Sequence, residues 1–451
     1  MEERFKEEAL EYHARPKAGK TEIKPSKEID SPHKLALAYT PGVAAPAIEI
    51  SEERWKAYRY TNKGNLVAVI SNGSSVLGLG NIGALASKPV MEGKAMLFKI
   101  YADIDAFDIE VSEKDPDRII SAIQSIAPTF GGINLEDIKA PECFHIEEKL
   151  RNLLDIPVLH DDQHGTAVTI AAAVINACEF TCRDISRTRT VICGAGSAGI
   201  STARTLLQLG VKKENLIMVD SKGTITTARN DLDIYKRPFA HDTDATTLAQ
   251  AIKDADMFIG LSRGDILSTE EILSMAPRAI IFALANPVPE VAYSRAKELR
   301  KDAIVATGRS DAPNQINNVL AFPYLFRGAL DTLATEINEE MKTAAAHAIA
   351  AIARKETPKE IEKSYGRSLV FGDEYIIPTP GDRRLAVEVS SAVARAAMSS
   401  GVARNGIASF KEYEETLLAR IEHENYFSRD TIRHRSNRRH HSGNSFRERE
   451  L

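Results

Sequence analysis

Cysteine is scarce in this chain of 451 residues, which contains four cysteines and one tryptophan. The cysteines stand at positions 143, 178, 182 and 193, and only Cys178 and Cys182 are spaced to share a helix face. No second pair or neighbouring histidine completes a zinc-binding set, so the pattern does not indicate a structural zinc site. We expect the four side chains to act as small buried apolar groups.

Long apolar segments and a strong excess of one charge are also missing. The longest apolar run, near residues 167–178, is too short and too polar to cross a bilayer. The N-terminal sequence MEERFKEEALEYH is charged and has no apolar signal-peptide core. A net charge of −5 with 27% charged residues indicates neither a nucleic-acid nor a membrane partner. These absences leave the cytoplasm as the expected location.

The order of apolar segments predicts an α/β protein with two main domains, because 451 residues exceed what one hydrophobic core usually organises. The first third of the chain has the pattern of a mixed α/β unit. Further along, short apolar strands alternate with helices, which is typical of a parallel sheet covered on both faces. We predict domains at 1–161 and 162–390, a helical segment at 391–422, and a basic, disordered tail at 423–451.

The sequence GAGSAG follows an apolar strand and opens an amphipathic helix. A dinucleotide-binding loop requires this context, because its glycines permit a tight turn, close approach of a pyrophosphate, and packing of the helix on the strand. The helix N-terminus adds partial positive charge facing the phosphates. We therefore predict a Rossmann-type, doubly wound domain whose cofactor site includes Gly194, Ala195, Gly196, Ser197, Ala198 and Gly199.

Asp220 ends the next predicted strand, about twenty residues after the glycine loop. Its carboxylate would accept hydrogen bonds from the ribose hydroxyls of NAD, whereas Ser221 and Lys222 could instead receive the 2′-phosphate of NADP. The two signals conflict, so both cofactors stay open. Asn286 stands at the end of a predicted strand, at the edge where open parallel sheets bind ligands. Asn317 and Asn318 follow another predicted strand; either could be only a turn former, and we prefer that interpretation for Asn317.

Two adjacent carboxylates, Asp161 and Asp162, stand in the sequence PVLHDDQHGT with a histidine on each side. His160 and His164 have the spacing of a zinc-protease motif, but that motif must lie inside a helix. Here a short β-like run precedes the pair and helical sequence begins only from about Gln163, which places the pair at a strand-to-helix turn. Asp162 could cap that helix or ligate a metal at the end of the strand.

Eight motifs in a fixed order make the chain resemble malic enzymes of the short bacterial type: YTPGVA, LGLGNIG, EGKAMLFK, FGGINLEDI, HDDQHGT, GAGSAG, ANPVPE and GRSDAPNQINN. The resemblance runs from about Tyr39 to Ala403. It implies an N-terminal malic domain followed by an NAD(P)-binding domain. The implied activity is oxidative decarboxylation of malate to pyruvate and CO₂, with reduction of NAD or NADP and a requirement for Mg²⁺ or Mn²⁺.

The resemblance also assigns the metal ligands. It places the cation on Glu136, Asp137 and Asp162. Three carboxylates without thiolates suit a hard cation such as Mg²⁺ or Mn²⁺, with water and substrate oxygens as the remaining ligands. Asp161 would then support the metal ligands as an outer neighbour.

The catalytic residues that the resemblance implies are Lys94 as the general base and Tyr39 as the acid. Lys94, Asn286 and Asn318 would contact the substrate, and Asn286 would also lie near the nicotinamide ribose. A lysine can act as a base only if burial and neighbouring charge lower its pKa toward ~7–8. Ser75 stands where the larger eukaryotic-type enzymes carry an arginine, so recognition of the substrate carboxylate must come from elsewhere.

Two other functions stay open at this stage. One is malolactic chemistry, which converts malate to lactate on the same site with tightly held NAD. The other is a dinucleotide-binding sensor without catalysis. The expected partner is a small molecule, malate, and a homodimer or higher homo-oligomer is an expectation that comes from the family alone.

Overall fold

The computed structural model describes residues 3–423, so the predicted disordered tail lies outside the described residues except for its first position. The helices are α1 (Glu3–Ala14), α2 (Pro32–Ala38), α3 (Ala44–Glu52), α4 (Ala57–Tyr60), α5 (Ala84–Ala102), α6 (Pro116–Ile126), α7 (Glu142–Leu153), α8 (Asp161–Thr181), α9 (Ser197–Gln208), α10 (Leu248–Ile252), α11 (Thr269–Ser274), α12 (Tyr293–Leu299), α13 (Phe322–Asp331), α14 (Glu339–Arg354), α15 (Lys359–Tyr365), α16 (Arg384–Ser399) and α17 (Phe410–His423). The strands are β1 (Leu66–Ser71), β2 (Asp105–Glu110), β3 (Gly132–Leu135), β4 (Val158–His160), β5 (Thr190–Cys193), β6 (Leu216–Asp220), β7 (Gly223–Thr224), β8 (Met257–Gly260), β9 (Ile280–Ala283) and β10 (Ile304–Thr307).

The first sheet contains four parallel strands in the order β2-β1-β3-β4. All residues of β1 are buried, as expected for the apolar run of a strand inside a parallel sheet. The last residues of β3 and β4, Leu135 and His160, are aligned partners in the ladder. The residues that follow these two strands therefore emerge side by side at one edge of the sheet.

The second sheet has the order β10-β9-β8-β5-β6-β7. Five of its strands are parallel, and the two-residue β7 pairs antiparallel with β6. The strand order reverses at β5, which creates the crevice where open α/β sheets bind their ligands. The predicted α/β class with a Rossmann-type second sheet is confirmed, while β7 was too short to be foreseen.

Helix α8 connects the two sheets and is buried along most of its length. It packs against both α9 and α14. The helix begins at Asp161 directly after β4, which is earlier than the start near Gln163 that the sequence indicated. The acidic pair accordingly forms the first turn of a helix that belongs to the cores of both sheets.

The C-terminal helices return to the first sheet. Helix α13 contacts α5, and the ring centroid of Phe98 lies 4.8 Å from that of Phe322 and 5.4 Å from that of Phe326. Arg327 also donates to Asn65 Oδ1 at 2.6 Å. Helix α16 packs on α13 and α14 and continues without a break through residue 390. The domain limits at 161 and 390 remain predictions.

The N-terminal part of the chain covers the surface without entering the core. Residues 3–65 include no buried side chain. Several large apolar side chains there are exposed, including those of Leu37 at 60%, Ile48 at 57% and Trp55 at 55%. Contiguous exposed apolar patches mark interaction surfaces, whereas single apolar side chains are ordinary on a protein surface.

The cysteines follow the sequence expectation with one exception. Cys143, Cys178 and Cys193 are buried, whereas Cys182 is exposed. The exception arises because Cys182 caps the C-terminus of α8 with a left-handed φ of 56°, where the chain turns toward the surface. In the part of the chain that the structure describes, no helix combines the length and apolar character needed to cross a membrane.

Candidate active site

The ends of β3 and β4 bring four acidic residues to one edge of the first sheet. Glu136 and Asp137 follow β3, and Asp161 and Asp162 follow β4. Since the two strands are adjacent and parallel, both acidic pairs emerge together. The main-chain NH of Asp137 donates to Asp162 Oδ2 at 2.7 Å, which fixes one loop against the other.

Glu136, Asp137 and Asp162 form a group able to hold a cation. One carboxylate oxygen from each lies within 4.8 Å of the others, and Glu136 and Asp137 are buried. Asp137 adopts a left-handed backbone conformation with φ of 54°, which is uncommon outside glycine and is found at functional sites. The resemblance took Glu136 and Asp137 from the motif FGGINLEDI and Asp162 from the motif HDDQHGT, and the fold places the three carboxylates together.

The electrostatics of this group also fit a bound cation. Burial raises the pKa of Asp162, and it raises the pKa of Glu136 with a further contribution from the charge of Asp162. Carboxylates held together in this way repel one another, and a divalent ion relieves that repulsion. An all-oxygen donor set matches Mg²⁺ or Mn²⁺.

Lys94 enters the same cluster from α5. Its ammonium donates to Asp161 Oδ2, lies 3.0 Å from Glu136 Oε1, and sits 3.8 Å from the ring centroid of Phe322. Burial disfavours its charge, but the nearby carboxylates of Asp161, Glu136 and Asp162 outweigh burial and raise its pKa. Burial and neighbouring charge thus do not lower the pKa of Lys94 in this set of side chains, and a lowered pKa is the condition for its action as a base.

Asp161 has a role that the sequence did not reveal. Its side chain is fully buried and accepts from Lys94 and, at 2.5 Å, from Asn318 Nδ2. It therefore connects α5 and the turn after β10 to the first turn of α8. Gly165 makes this possible, since a Cβ at that position would lie 1.8 Å from Asp161 Oδ1. The only sequence signal was the glycine one helical turn after Asp161.

The flanking histidines do not form a zinc site. His160 is fully buried at the end of β4, while His164 Nε2 lies 3.0 Å from a carboxylate oxygen of Glu147. Burial lowers the pKa of both imidazoles. Among residues 3–423, the group arranged to hold a metal consists of carboxylates and includes neither histidine.

Tyr39 is the predicted site residue that the structure leaves apart from the others. It caps the C-terminus of α2 and its side chain is 70% exposed. Within a single described chain, Tyr39 is thus not part of the buried cluster.

A cavity of about 990 Å³ opens at the carboxyl ends of β5 and β6. Gly194 has φ of 119°, and a Cβ there would lie 2.3 Å from the main-chain oxygen of Leu261. A Cβ on Gly196 would meet nothing within 4 Å, whereas one on Gly199 would lie 1.9 Å from the oxygen of Gly194. Gly194 thus permits the tight turn, Gly196 leaves space for a ligand to approach the backbone, and Gly199 allows the helix to pack on the strand. These are the three properties that a dinucleotide-binding loop requires.

The remaining loop residues and Asp220 also belong to this region. Ala195 and Asp220 line the cavity, and Ser197 begins α9 with Ala198 in its first turn. Asp220 is engaged by Arg229, whose Nη1 donates to Oδ1 at 2.8 Å and whose Nη2 donates to Oδ2 at 3.0 Å.

Asn286 links the second sheet to a loop of the first. It follows β9, and a Cβ on Gly78 would lie 2.5 Å from its main-chain oxygen. We call the part of the protein built on the first sheet the first lobe and the part built on the second sheet the second lobe. The loop containing Gly78 belongs to the first lobe, so the two lobes approach each other closely at Asn286. Asn317, the residue before Asn318, accepts from the main-chain NH of Val319 at 3.0 Å, as in a turn.

Comparison with known proteins identifies the family. Residues 18–151 match the family described as "Malic enzyme, N-terminal domain", and residues 163–364 match the family described as "Malic enzyme, NAD binding domain". An NADP-dependent malic enzyme of Halomonas elongata is 52% identical over 405 residues, which cover 90% of this chain and 96% of that protein. The chain belongs to the malic enzyme family.

Other malic enzymes extend this finding. The crystal structure of malic enzyme from Pyrococcus horikoshii has a TM-score of 0.87 and 43% identity, covering 97% of this chain and all of the other. An NADP-dependent malic enzyme of Salmonella typhimurium is 52% identical over 430 residues, or 95% of this chain. This chain spans only 57% of the length of that relative. The resemblance drawn from the ordered motifs is confirmed.

The acidic pair lies between the two matched malic enzyme domains. The first match ends at residue 151 and the second begins at residue 163, and Asp161 and Asp162 fall in the interval. The site is thus assembled where one domain passes into the other, from β3, α5, α8 and the turn after β10.

Proposed function

We propose that this chain oxidatively decarboxylates malate to pyruvate and CO₂ with reduction of NAD or NADP. The observation that carries the proposal is the cluster of Lys94 with the carboxylates Glu136, Asp137 and Asp162, in a chain whose second sheet carries a cavity lined by a dinucleotide-type glycine loop. A 2-hydroxy acid needs a base for its hydroxyl, a cation for its oxygens and a hydride acceptor, and the residues fit all three.

Glu136, Asp137 and Asp162 would hold Mg²⁺ or Mn²⁺, and the loop at 194–199 would hold the pyrophosphate of the nicotinamide cofactor. When bound, the cation supplies a positive charge that stabilises the enolate left by loss of CO₂, and the nicotinamide supplies the hydride acceptor.

Lys94 would remove the proton from the substrate 2-hydroxyl. It must first give up its own proton, and the carboxylates around it oppose this. Its pKa would fall once the charges of Glu136 and Asp162 are offset by the ion that they hold. Asp161 and Phe322 fix the ammonium from two sides, so the base keeps its position when its charge changes.

Asn318 and Asn286 would orient the substrate from the second lobe. Asn318 already donates to Asp161 at 2.5 Å, and Asn286 lies against the glycine loop of the first lobe. Neutral amides donate hydrogen bonds to a carboxylate without changing the net charge around Lys94.

Tyr39 would protonate C3 of the enolate, and we propose that it does so in a homodimer. Residues 3–65 contribute no buried side chain, and this segment, which includes Tyr39, exposes Leu37, Ile48 and Trp55. A second copy packed on this surface would cover the apolar side chains and bring Tyr39 to the Lys94 cluster of its partner. The cytoplasm remains the predicted location.

Initial rates with malate and Mn²⁺, measured with NAD⁺ and NADP⁺ in parallel, test the activity. Lys94→Ala is expected to abolish turnover while cofactor binding by calorimetry stays near that of the wild type. Lys99→Ala is the matched control on the same helix, since Lys99 pairs with Asp103 at the helix end, and it should retain turnover.

Other outcomes would select another function. Malate consumed without a rise in nicotinamide absorbance, with lactate as product, would favour malolactic chemistry. Binding of a dinucleotide without turnover of any 2-hydroxy diacid would favour the sensor.

Subunit mixing tests the dimer and the place of Tyr39. Lys94→Ala and Tyr39→Phe should each be inactive alone, and co-refolded mixtures should recover about a quarter of wild-type activity if each site takes Tyr39 from the partner. A monomer in light scattering, or no recovery in proven mixed dimers, would contradict this arrangement.

A further inference from the structure

Glu147 is a buried carboxylate that the proposed chemistry does not use. It lies on α7, in the sequence CFHIEEKLRNLLD, and only 5% of the residue is exposed. The adjacent Glu148 is exposed. Burying a charged group is unfavourable unless other groups pair with it or hydrogen-bond to it. The partners of Glu147 therefore show what this carboxylate does in the fold.

The partners of Glu147 lie on both sides of the acidic pair at the start of α8. The main-chain NH of His160 donates to Oε1 at 2.9 Å, and Gln163 Nε2 donates to Oε2 at 3.1 Å. His164 Nε2 lies 3.0 Å from Oε2. One side chain thus binds the residue before the acidic pair and the two residues after it.

The contacts of His164 determine which ring nitrogen carries the proton. Nδ1 lies 3.1 Å from Lys342 Nζ, and an ammonium group can only donate. Nδ1 therefore accepts, and the proton of the neutral imidazole is on Nε2, directed at Glu147. The three partners of Glu147 are accordingly all donors, and an ionised carboxylate, which only accepts, is the side chain that suits them.

Glu147 acts on the turn that carries the metal ligands and not on the cation itself. Within the metal group, Asp162 Oδ2 accepts from the main-chain NH of Asp137 at 2.7 Å. Glu147 binds the chain on each side of Asp162, so the direction of this carboxylate depends on backbone that Glu147 fixes. Partners that orient metal ligands in this way change metal affinity by about 10–100-fold when they are removed.

We infer that Glu147 is a positioning residue for the metal site. It fixes the first turn of α8 so that Asp162 reaches the cation and Asp161 reaches Lys94. The inference rests on the proposed function only in that it assumes a divalent cation on the carboxylate group. The sequence offered no signal for this role, because Glu147 and Glu148 are adjacent and only the fold buries one of them.

Mn²⁺ titration followed by electron paramagnetic resonance tests the inference without turnover. In Glu147→Gln one oxygen remains to accept, and the new amide NH₂ faces the donors of Gln163 and His164. We expect Mn²⁺ affinity to fall about 10–30-fold, while binding of 5′-AMP by calorimetry stays within about twofold of the wild type. Glu148→Gln removes the same charge one residue along the helix and should change neither affinity.

The folded state of the variants is checked by thermal unfolding. Glu147, Gln163 and His164 line a cavity of about 540 Å³, so water can reach the freed donors and the chain should still fold. If Glu147 only stabilised the fold, Glu147→Gln would lower the unfolding midpoint and leave the Mn²⁺ affinity of the folded protein unchanged. That result would overturn the inference.

Glu147→Asp gives a second test, because it keeps the charge and withdraws the carboxylate by one methylene. Its Mn²⁺ affinity should fall by about threefold or more, but less than that of Glu147→Gln. If Glu147→Gln does not fold, Glu147→Asp decides alone, and an affinity equal to that of the wild type would overturn the inference. A wild-type chain that binds Mn²⁺ without oxidising malate would overturn only the proposed reaction, since the Mn²⁺ affinities still decide the role of Glu147.

Discussion

Asp161→Asn separates the function of two adjacent aspartates. Asp161 is fully buried and contacts Lys94 and Asn318, whereas Asp162 belongs to the metal-ligating group. Asparagine preserves the size of the side chain and removes its charge. We therefore expect the variant to keep the cation and to lose the correct position and ionisation of Lys94.

The magnitude follows from what surrounds Lys94. Removing one partner of a buried ion pair costs about 3–5 kcal/mol when the other charge is left alone. Here Glu136 stays 3.0 Å from Lys94, and loss of Asp161 also relieves its repulsion with Glu136 and Asp162. We expect a loss of about 1–3 kcal/mol in unfolding free energy, and a decrease in kcat of about a hundredfold, as for a displaced catalytic group.

Three measurements check this prediction: thermal unfolding, Mn²⁺ titration followed by electron paramagnetic resonance, and malate oxidation followed at the nicotinamide band. Asp161→Asn should bind Mn²⁺ within about tenfold of the wild type, and Asp162→Asn should lose more than about a hundredfold. Equal loss of Mn²⁺ affinity in both variants, or wild-type turnover in Asp161→Asn, would refute the division of roles.

Three further predictions concern the lobes, acid stability and the cation. Gly78→Ala places a Cβ 2.5 Å from the main-chain oxygen of Asn286. This contact pushes the two lobes apart, so kcat/KM for malate should fall at least about tenfold. Gly406→Ala is the control and should not change kcat/KM, because its Cβ would meet only one methyl at 3.8 Å. Two arginines outweigh burial and lower the pKa of Asp331, so the stability that this carboxylate contributes is present above pH ~4 and lost below it. The difference in unfolding free energy between the wild type and Asp331→Asn, measured with urea, should therefore shrink as the pH falls below ~4. A difference that does not change with pH would contradict the assignment. Mn²⁺ at about a hundred times its Kd should stabilise the wild type by about 2.7 kcal/mol, an increase that EDTA reverses and that Asp162→Asn does not show.

Short-range patterns in the sequence were sufficient for the local structure. The alternation of apolar strands and helices predicted the five parallel strands of the second sheet, because a strand buried on both faces must be apolar throughout. The glycine loop was predictable as well, since φ of 119° at Gly194 and a contact of 1.9 Å at Gly199 tolerate no side chain. The metal group came from the family motifs rather than from any local rule.

The partners of charged side chains could not be predicted from the sequence. For Asp220 the sequence left two cofactors open, and it did not show that a loop nine residues later brings Arg229 onto its carboxylate. The sequence did not show which charges surround Lys94, and the end of β3 and the start of α8 bring carboxylates within ion-pair distance that raise its pKa. A pKa depends on charges in space, and their positions depend on contacts between residues far apart in the chain.

By itself, the sequence determined the family, the order of strands and helices, and the residue types available for the chemistry. Only the tertiary structure decided that α13 and α16 pack with the first lobe, that Asp161 holds Lys94 and Asn318, and that Tyr39 stays exposed at 70%. The physical reason is range: propensity, periodicity and glycine sterics act over a few residues, whereas burial and ion pairing are set by segments that meet only after the chain has folded.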